Sequence, residues 1–179
     1  MKYTPSDCFM DVFSVDYKSL LNNGYDTVVF DLDNTLAKYT ENIPNEQIQK
    51  LMNNLKQMGF RIYIISNNTE KRVTEFINNL QITNYLSLAN KPLKRKLKKF
   101  IKNNNIEANK TIGIGDQLLT DIKIFNHLGL YSILVKTIDF KAQKWYTKIN
   151  RLREKRIIKK IRKENPTIGD KINQICQNA

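Results

Sequence analysis

The chain has 179 residues, enough for one domain with a real core, and is 41% hydrophobic and 26% charged. No apolar run nears the roughly 20 residues that cross a bilayer, and Asp7 and Asp11 break the stretch where a signal peptide needs apolar continuity. These features argue against an exported or membrane-spanning protein. Two distant cysteines, Cys8 and Cys176, fit a reduced, cytoplasmic one without a disulfide.

The formal net charge of +13 is concentrated. Residues 91–102 carry +7 and residues 141–163 carry +10, which leaves −4 for the rest. Local basicity of this kind suits an anionic partner or substrate, or simply a solvated face.

In chain order, the first 23 residues read as a docking segment with one helix. Short apolar runs at 26–31, 60–65, 85–88, 110–115 and 131–135 read as strands buried on both faces. Helical spacing marks the segments between them. Residues 45–58 place Ile48, Leu51, Met52 and Leu55 on one face and stop at Gly59. Residues 69–80 start from Thr69 as a cap and carry Val73, Phe76, Ile77 and Leu80. Residues 93–102 turn Leu93, Leu97, Phe100 and Ile101 to one side and six basic residues elsewhere, and 118–128 form a fourth helix. Alternation of this kind predicts an α/β core over 24–140 with a central parallel sheet and helices on its faces. From residue 141 the pattern changes to a basic helix followed by a polar tail, so 141–179 reads as an appendage.

Functional groups in open α/β sheets gather at the carboxyl ends of strands. Here the first strand ends at Asp31 and Asp33, the second at Ser66 and Asn67, the third at Asn90 and Lys91, and the fourth at Asp116 with Asp121 a turn beyond. Helix capping explains one such end, not four of differing chemistry. Clustered carboxylates need a cation to coexist, and all-oxygen ligation by Asp suits Mg²⁺. An Asp can attack phosphorus, and a second Asp two residues on lies on the same side of an extended backbone, where it can move protons. The parts are those of metal-assisted phosphoryl transfer.

The ordered motifs "DLDNTL" (31–36), "SNN" (66–68), "NKP" (90–92) and "GDQLLTD" (115–121) resemble those of the haloacid dehalogenase (HAD) superfamily of phosphatases. "SNNTEKRV", "GDQLLTDI" and "TKINRLRE" resemble its YqeG-like branch, in subclass IIIA, related to mitochondrial phosphatidylglycerophosphate phosphatases. The resemblance spans residues 9–155. It implies the Rossmann-like three-layer HAD fold, Asp31 as nucleophile and Asp33 as general acid and base. It also implies Lys91 as the charge-stabilising lysine and Ser66, Asn67 and Thr35 around the phosphoryl group, with Asn34 in support. Mg²⁺ would be held by Asp31, the backbone carbonyl of Asp33, Asp116 and Asp121, the last directly or through water. One departure stands out: Phe125 and His127 occupy "IKIFNHLG", where relatives carry glycines and an arginine near Asn126.

Asp31 and Ser66 are 35 residues apart, and Ser66 and Lys91 are 25 apart. Both gaps are filled by the elements already placed, so no cap domain is expected and the site should be open. An open site, two basic stretches and the branch resemblance lead to phosphatidylglycerophosphate at the inner face of the cytoplasmic membrane, with Trp145 and Tyr146 as interfacial anchors. The alternatives are a phosphatase of nucleotides, nucleic acid ends or phosphoproteins, and a non-catalytic basic module that binds RNA or the ribosome. A dinucleotide site at "GIGDQL" fails, because Leu118 stands at the third glycine position.

Overall fold

The computed structural model describes residues 2–139 and 145–177. The side chains of Trp145, Tyr146, Ile149 and Leu152 lie outside the described residues, as does that of Cys176.

Six strands form one sheet in the order β1-β6-β5-β2-β3-β4, with every pair parallel. They are β1 (Asp7–Phe9), β2 (Thr27–Asp31), β3 (Arg61–Ile65), β4 (Tyr85–Leu86), β5 (Thr111–Gly115) and β6 (Tyr131–Val135). Between them run α1 (Tyr17–Asn22), α2 (Glu46–Gln57), α3 (Glu70–Ile77), α4 (Lys94–Asn103) and α5 (Lys123–Leu128). α6 (Trp145–Glu164) and α7 (Pro166–Gln177) follow β6.

The alternation of side chains along the strands divides the core. Val28 and Phe30 of β2, with Ile62 and Ile64 of β3, face the layer of α1, α2 and α3. Val29 and Tyr63 face the opposite layer, with Leu97 of α4 and Ile124 and Phe125 of α5. Asn45 caps α2 by accepting from the Ile48 amide at 2.9 Å, and Thr69 caps α3 as the sequence predicts. The fold is therefore the expected three-layer α/β architecture. The β2–β3 and β3–β4 connections hold only loops and the helices between, with no inserted domain.

Three details differ from the sequence reading. The third predicted strand ends at Leu86, because Leu88 adopts a left-handed backbone (φ 46°) that turns the chain out of the sheet. The first 23 residues hold a strand as well as a helix: β1 pairs with β6 at the sheet edge. The polar tail is helical. Asn165 caps α7 and Pro166 opens it, and Ile168, Ile172 and Ile175 meet Cys8, Leu134 and Ile161 in a third apolar cluster. Ile157 and Ile158 of α6 pack against that cluster, while Lys155, Arg156, Lys159 and Lys160 are exposed. Gly169 lets the two helices cross closely, since a Cβ there would lie 2.3 Å from the Arg162 backbone.

Candidate active site

With every strand parallel, all the loops leaving the strand ends gather along one edge of the sheet. Asp31 closes β2, and its carboxylate is buried. Thr35, in the loop that follows, donates to Asp31 Oδ2 at 2.9 Å. From the β4–α4 connection, the Lys91 ammonium reaches Asp31 Oδ1 at 2.5 Å and Asp121 Oδ1 at 2.7 Å. The Asn67 side chain holds Lys91 in place by bonding both its amide and its carbonyl.

Asp116 follows β5, and Asp121 lies a turn later. The chain between them is wound as a π-helical turn, Leu118–Ile122, rather than the regular start of the predicted helix. The amides of Asp121 and Ile122 both bond the Gln117 carbonyl. This extra residue per turn rotates the Asp121 carboxylate back over β5. Gly115 makes room for it: a Cβ at Gly115 would sit 2.4 Å from the Cβ of Asp121.

Carboxylate oxygens of Asp31, Asp116 and Asp121 come within 4.8 Å of one another, and all three residues are buried. Burial, reinforced by the charges of Asp121 and Asp116, holds the Asp31 carboxyl well above the usual range, against the pull of Lys91. Burial also works against the Lys91 ammonium, but Asp121 and Asp31 outweigh it and keep the group protonated. One ammonium does not balance three carboxylates. The remaining imbalance, with hard oxygen donors at this spacing, fits a small divalent cation. Ligand oxygens about 2.1 Å from Mg²⁺ sit up to about 4.2 Å apart, so closure needs only sub-ångström shifts.

The Asp33 side chain does not join this cluster. It turns to the other side of the cleft, where Oδ2 accepts from Ser66 Oγ at 3.2 Å and Asn68 Nδ2 at 3.3 Å. Its Oδ1 faces the Arg72 guanidinium at 3.2 Å. Asp33 is the more open of the two acids, its side chain being 17% exposed against 9% for Asp31. The structure thus brings Asp31, Thr35, Ser66, Asn67, Lys91, Asp116 and Asp121 to one cleft, with Asp33 on its rim.

Four contributors were not expected from sequence. Arg72 is buried on α3, where an arginine normally reads as solvated surface. Asn68 sits in the third motif position beside two residues already assigned. Thr137 donates to Asp116 Oδ2 at 2.7 Å from the loop after β6. Glu154, the single acid of the basic stretch, is buried and accepts from the Leu119 amide in the π turn at 3.2 Å. A lone acid among eleven basic residues was the available signal for Glu154. Phe125, by contrast, is core: it fills the space beside Gly113, where a Cβ would lie 2.5 Å from the ring. His127 is exposed near the end of α5, away from the strand ends.

The family model described as mitochondrial PGP phosphatase matches residues 5–138. The chain belongs to this family. The phosphatase is also 27% identical over 162 residues to YqeG, a probable phosphatase of Bacillus subtilis, covering 90% of this chain and 93% of that one. Its fold is shared with the cobalt-bound deoxy-D-mannose-octulosonate 8-phosphate phosphatase of Haemophilus influenzae (TM-score 0.52, 12% identity, 72% of this chain and 75% of the other). A hydrolase from Streptococcus pneumoniae is similar in fold (TM-score 0.51, 15% identity, 73% and 99%). By its family this chain is a phosphatase, a phosphoric monoester hydrolase.

Proposed function

We propose that this phosphatase hydrolyses phosphatidylglycerophosphate to phosphatidylglycerol and phosphate, through an aspartyl phosphate on Asp31 and with Mg²⁺. The observation that carries the reaction type is the buried Asp31, Asp116 and Asp121 cluster bridged by Lys91. The substrate rests on the family match and on the uncapped cleft.

Asp31 attacks phosphorus as the bond to the leaving oxygen breaks, and Asp33 delivers the proton that oxygen needs. Asp33 then takes a proton from water as the water displaces phosphate and restores the Asp31 carboxylate. Lys91 offsets negative charge between Asp31 and Asp121, and the hydroxyls of Ser66 and Thr35 and the backbone N–H of Asn67 orient the phosphoryl oxygens. Asp31, Asp116 and Asp121, with the Asp33 carbonyl, would hold Mg²⁺, which supplies the positive charge that lets a carboxylate meet a phosphate ester. The headgroup ester enters an uncapped cleft while its acyl chains stay in the bilayer. Among the described residues no helix is long and apolar enough to cross a membrane; we place the protein on the inner face of the cytoplasmic membrane.

The test is phosphate release by the purified full chain with Mg²⁺. The substrates are phosphatidylglycerophosphate in mixed micelles, nucleotides, sugar phosphates and phosphopeptides. Release from the lipid should dominate, and Asp31→Asn should abolish it while keeping the fold. Release from a nucleotide or phosphopeptide but not from the lipid overturns the substrate. Near-normal turnover by Asp31→Asn overturns the mechanism.

A further inference from the structure

The large apolar side chains that are exposed among the described residues are Met10, Phe13, Ile43, Leu88, Leu93 and Ile138. Their positions are not scattered. Met10 and Phe13 follow β1, Ile43 follows β2, Leu88 and Leu93 follow β4, and Ile138 follows β6. Because the sheet is wholly parallel, all six stand on the edge that carries Asp31, Ser66, Lys91 and Asp116. The opposite edge hides its large apolar groups: Phe60, Ile82, Ile106 and Leu130 are buried there. β1 and β4 are the two outermost strands, about 24 Å apart at five strand spacings, so Met10 and Phe13 flank the cleft on one side and Leu88 and Leu93 on the other, with Ile43 and Ile138 between.

Leu88 is held out at a cost. Its backbone is left-handed, a conformation that disfavours leucine, and it is fixed at both ends. The Leu88 amide donates to the Asn68 carbonyl at 2.8 Å, and Lys96 donates to the Leu88 carbonyl at 2.6 Å. A rigid loop thus presents a leucine to solvent beside the catalytic lysine. α4 begins at the same place, with Lys94, Arg95 and Lys96 exposed and no acid in its first turn. On the β1 and β6 side, a groove of about 540 Å³ whose walls combine Met10, Phe13 and Ile138 with Lys38 and Lys136, and with Asp11 and Glu41, opens against Thr35 and Thr137, which bond the acidic cluster.

We infer that this rim is a bilayer-docking surface: the strand-end loops dip apolar side chains into an anionic phospholipid surface, so that the cleft opens onto the headgroups. Single apolar residues spaced around a polar pit, with cations beside them, match an interface whose depth changes from charged headgroup to acyl chain. A protein partner would call for one contiguous apolar patch instead. The inference deepens the lipid reading above, yet membrane docking is read without any turnover.

The test is flotation of the full chain with vesicles of phosphatidylcholine, with and without one-third phosphatidylglycerol. The wild type should float with the anionic vesicles, and less so as salt rises. Phe13→Ser, Leu93→Ser and Ile138→Ser combined should weaken binding by roughly tenfold or more, since each removes an exposed apolar group that docking would bury. Leu93→Trp, which adds an interface-seeking ring, should tighten it. Circular dichroism confirms that each variant is folded. Neutralising Lys155, Arg156, Lys159 and Lys160 on α6 provides the contrast. The inference is overturned if the wild type does not float, if the triple variant floats as well as wild type, or if only the α6 variant loses binding. Flotation without release of phosphate from lipid micelles would instead refute the substrate and leave the docking surface standing.

Discussion

Arg72 Nη2 and Asp33 Oδ1 lie 3.2 Å apart, joining α3 to the loop after β2 across the mouth of the cleft. The same Arg72 nitrogen donates to the Lys38 carbonyl at 3.3 Å, and the guanidinium lies over the Phe76 ring. The arginine is buried, so its geometry is fixed by packing as well as by charge. Arg72→Met should leave Asp33 poorly aimed and lower kcat by roughly a hundredfold, the scale of an ångström-sized misplacement of a reacting group. Arg72→Lys should recover little, because a lysine cannot reproduce the planar contact. Steady-state kinetics on a soluble phosphate ester check this; unchanged kcat in Arg72→Met would remove Arg72 from the mechanism.

Asp116 and Asp121 should respond differently to removal. Both oxygens of Asp121 hold protein donors, Lys91 on Oδ1 and the Gln117 amide on Oδ2. Asp116 stands at the end of β5, directly beside the Asp31 strand. Asp116→Asn should therefore raise the Mg²⁺ concentration for half-maximal activity more than Asp121→Asn does. A metal titration in which Asp121→Asn shows the larger shift would reverse the ranking.

Gly115→Ala tests the π turn. Its new methyl would fall 2.4 Å from the Asp121 Cβ, so Asp121 or the turn must move. Overpacking of this kind costs about 1–3 kcal/mol, and here it also displaces a carboxylate of the site. The variant should fold with a lowered urea midpoint and lose nearly all activity. Full activity would show that the turn relaxes without moving Asp121.

Ile172 is fully buried between α7 and the sheet. Ile172→Ala should cost about 2–5 kcal/mol, the range for truncating a buried aliphatic side chain. If α7 were only a polar tail, equilibrium unfolding would register almost no change.

The four-motif cleft was legible in sequence because each piece sits at a strand end, where local pattern alone sets position. Asp31, Ser66, Lys91 and Asp116 needed no knowledge of long-range packing. Arg72, Thr137 and Glu154 did, since each reaches the cleft from an element whose face is decided by tertiary contacts. The π turn was hidden for a related reason: helical periodicity over 118–128 does not reveal one added residue. α7 carried more signal than the reading took from it. Asn165 and Pro166 spell a helix start, and Ile168, Ile172 and Ile175 recur at helical spacing. β1 has only three residues, too few for alternation to emerge, so only pairing with β6 reveals it.

That pairing sets the timetable of synthesis. β1 is made before the other five strands, yet its sheet neighbour β6 comes more than a hundred positions later. The helix that covers it, α7, follows later still, and Lys171 reaches back across 164 residues to Asp7 at 2.6 Å. On the ribosome, β2, β3 and β5 can bring Asp31, Ser66 and Asp116 together while β1 remains without its strand partner. Contacts this distant in sequence close slowly. β1 is therefore made before β2, β3 and β5 yet locked after them, and a chain stalled before α7 would expose the apolar edge at Cys8 and Leu134 to the chaperones that patrol nascent proteins.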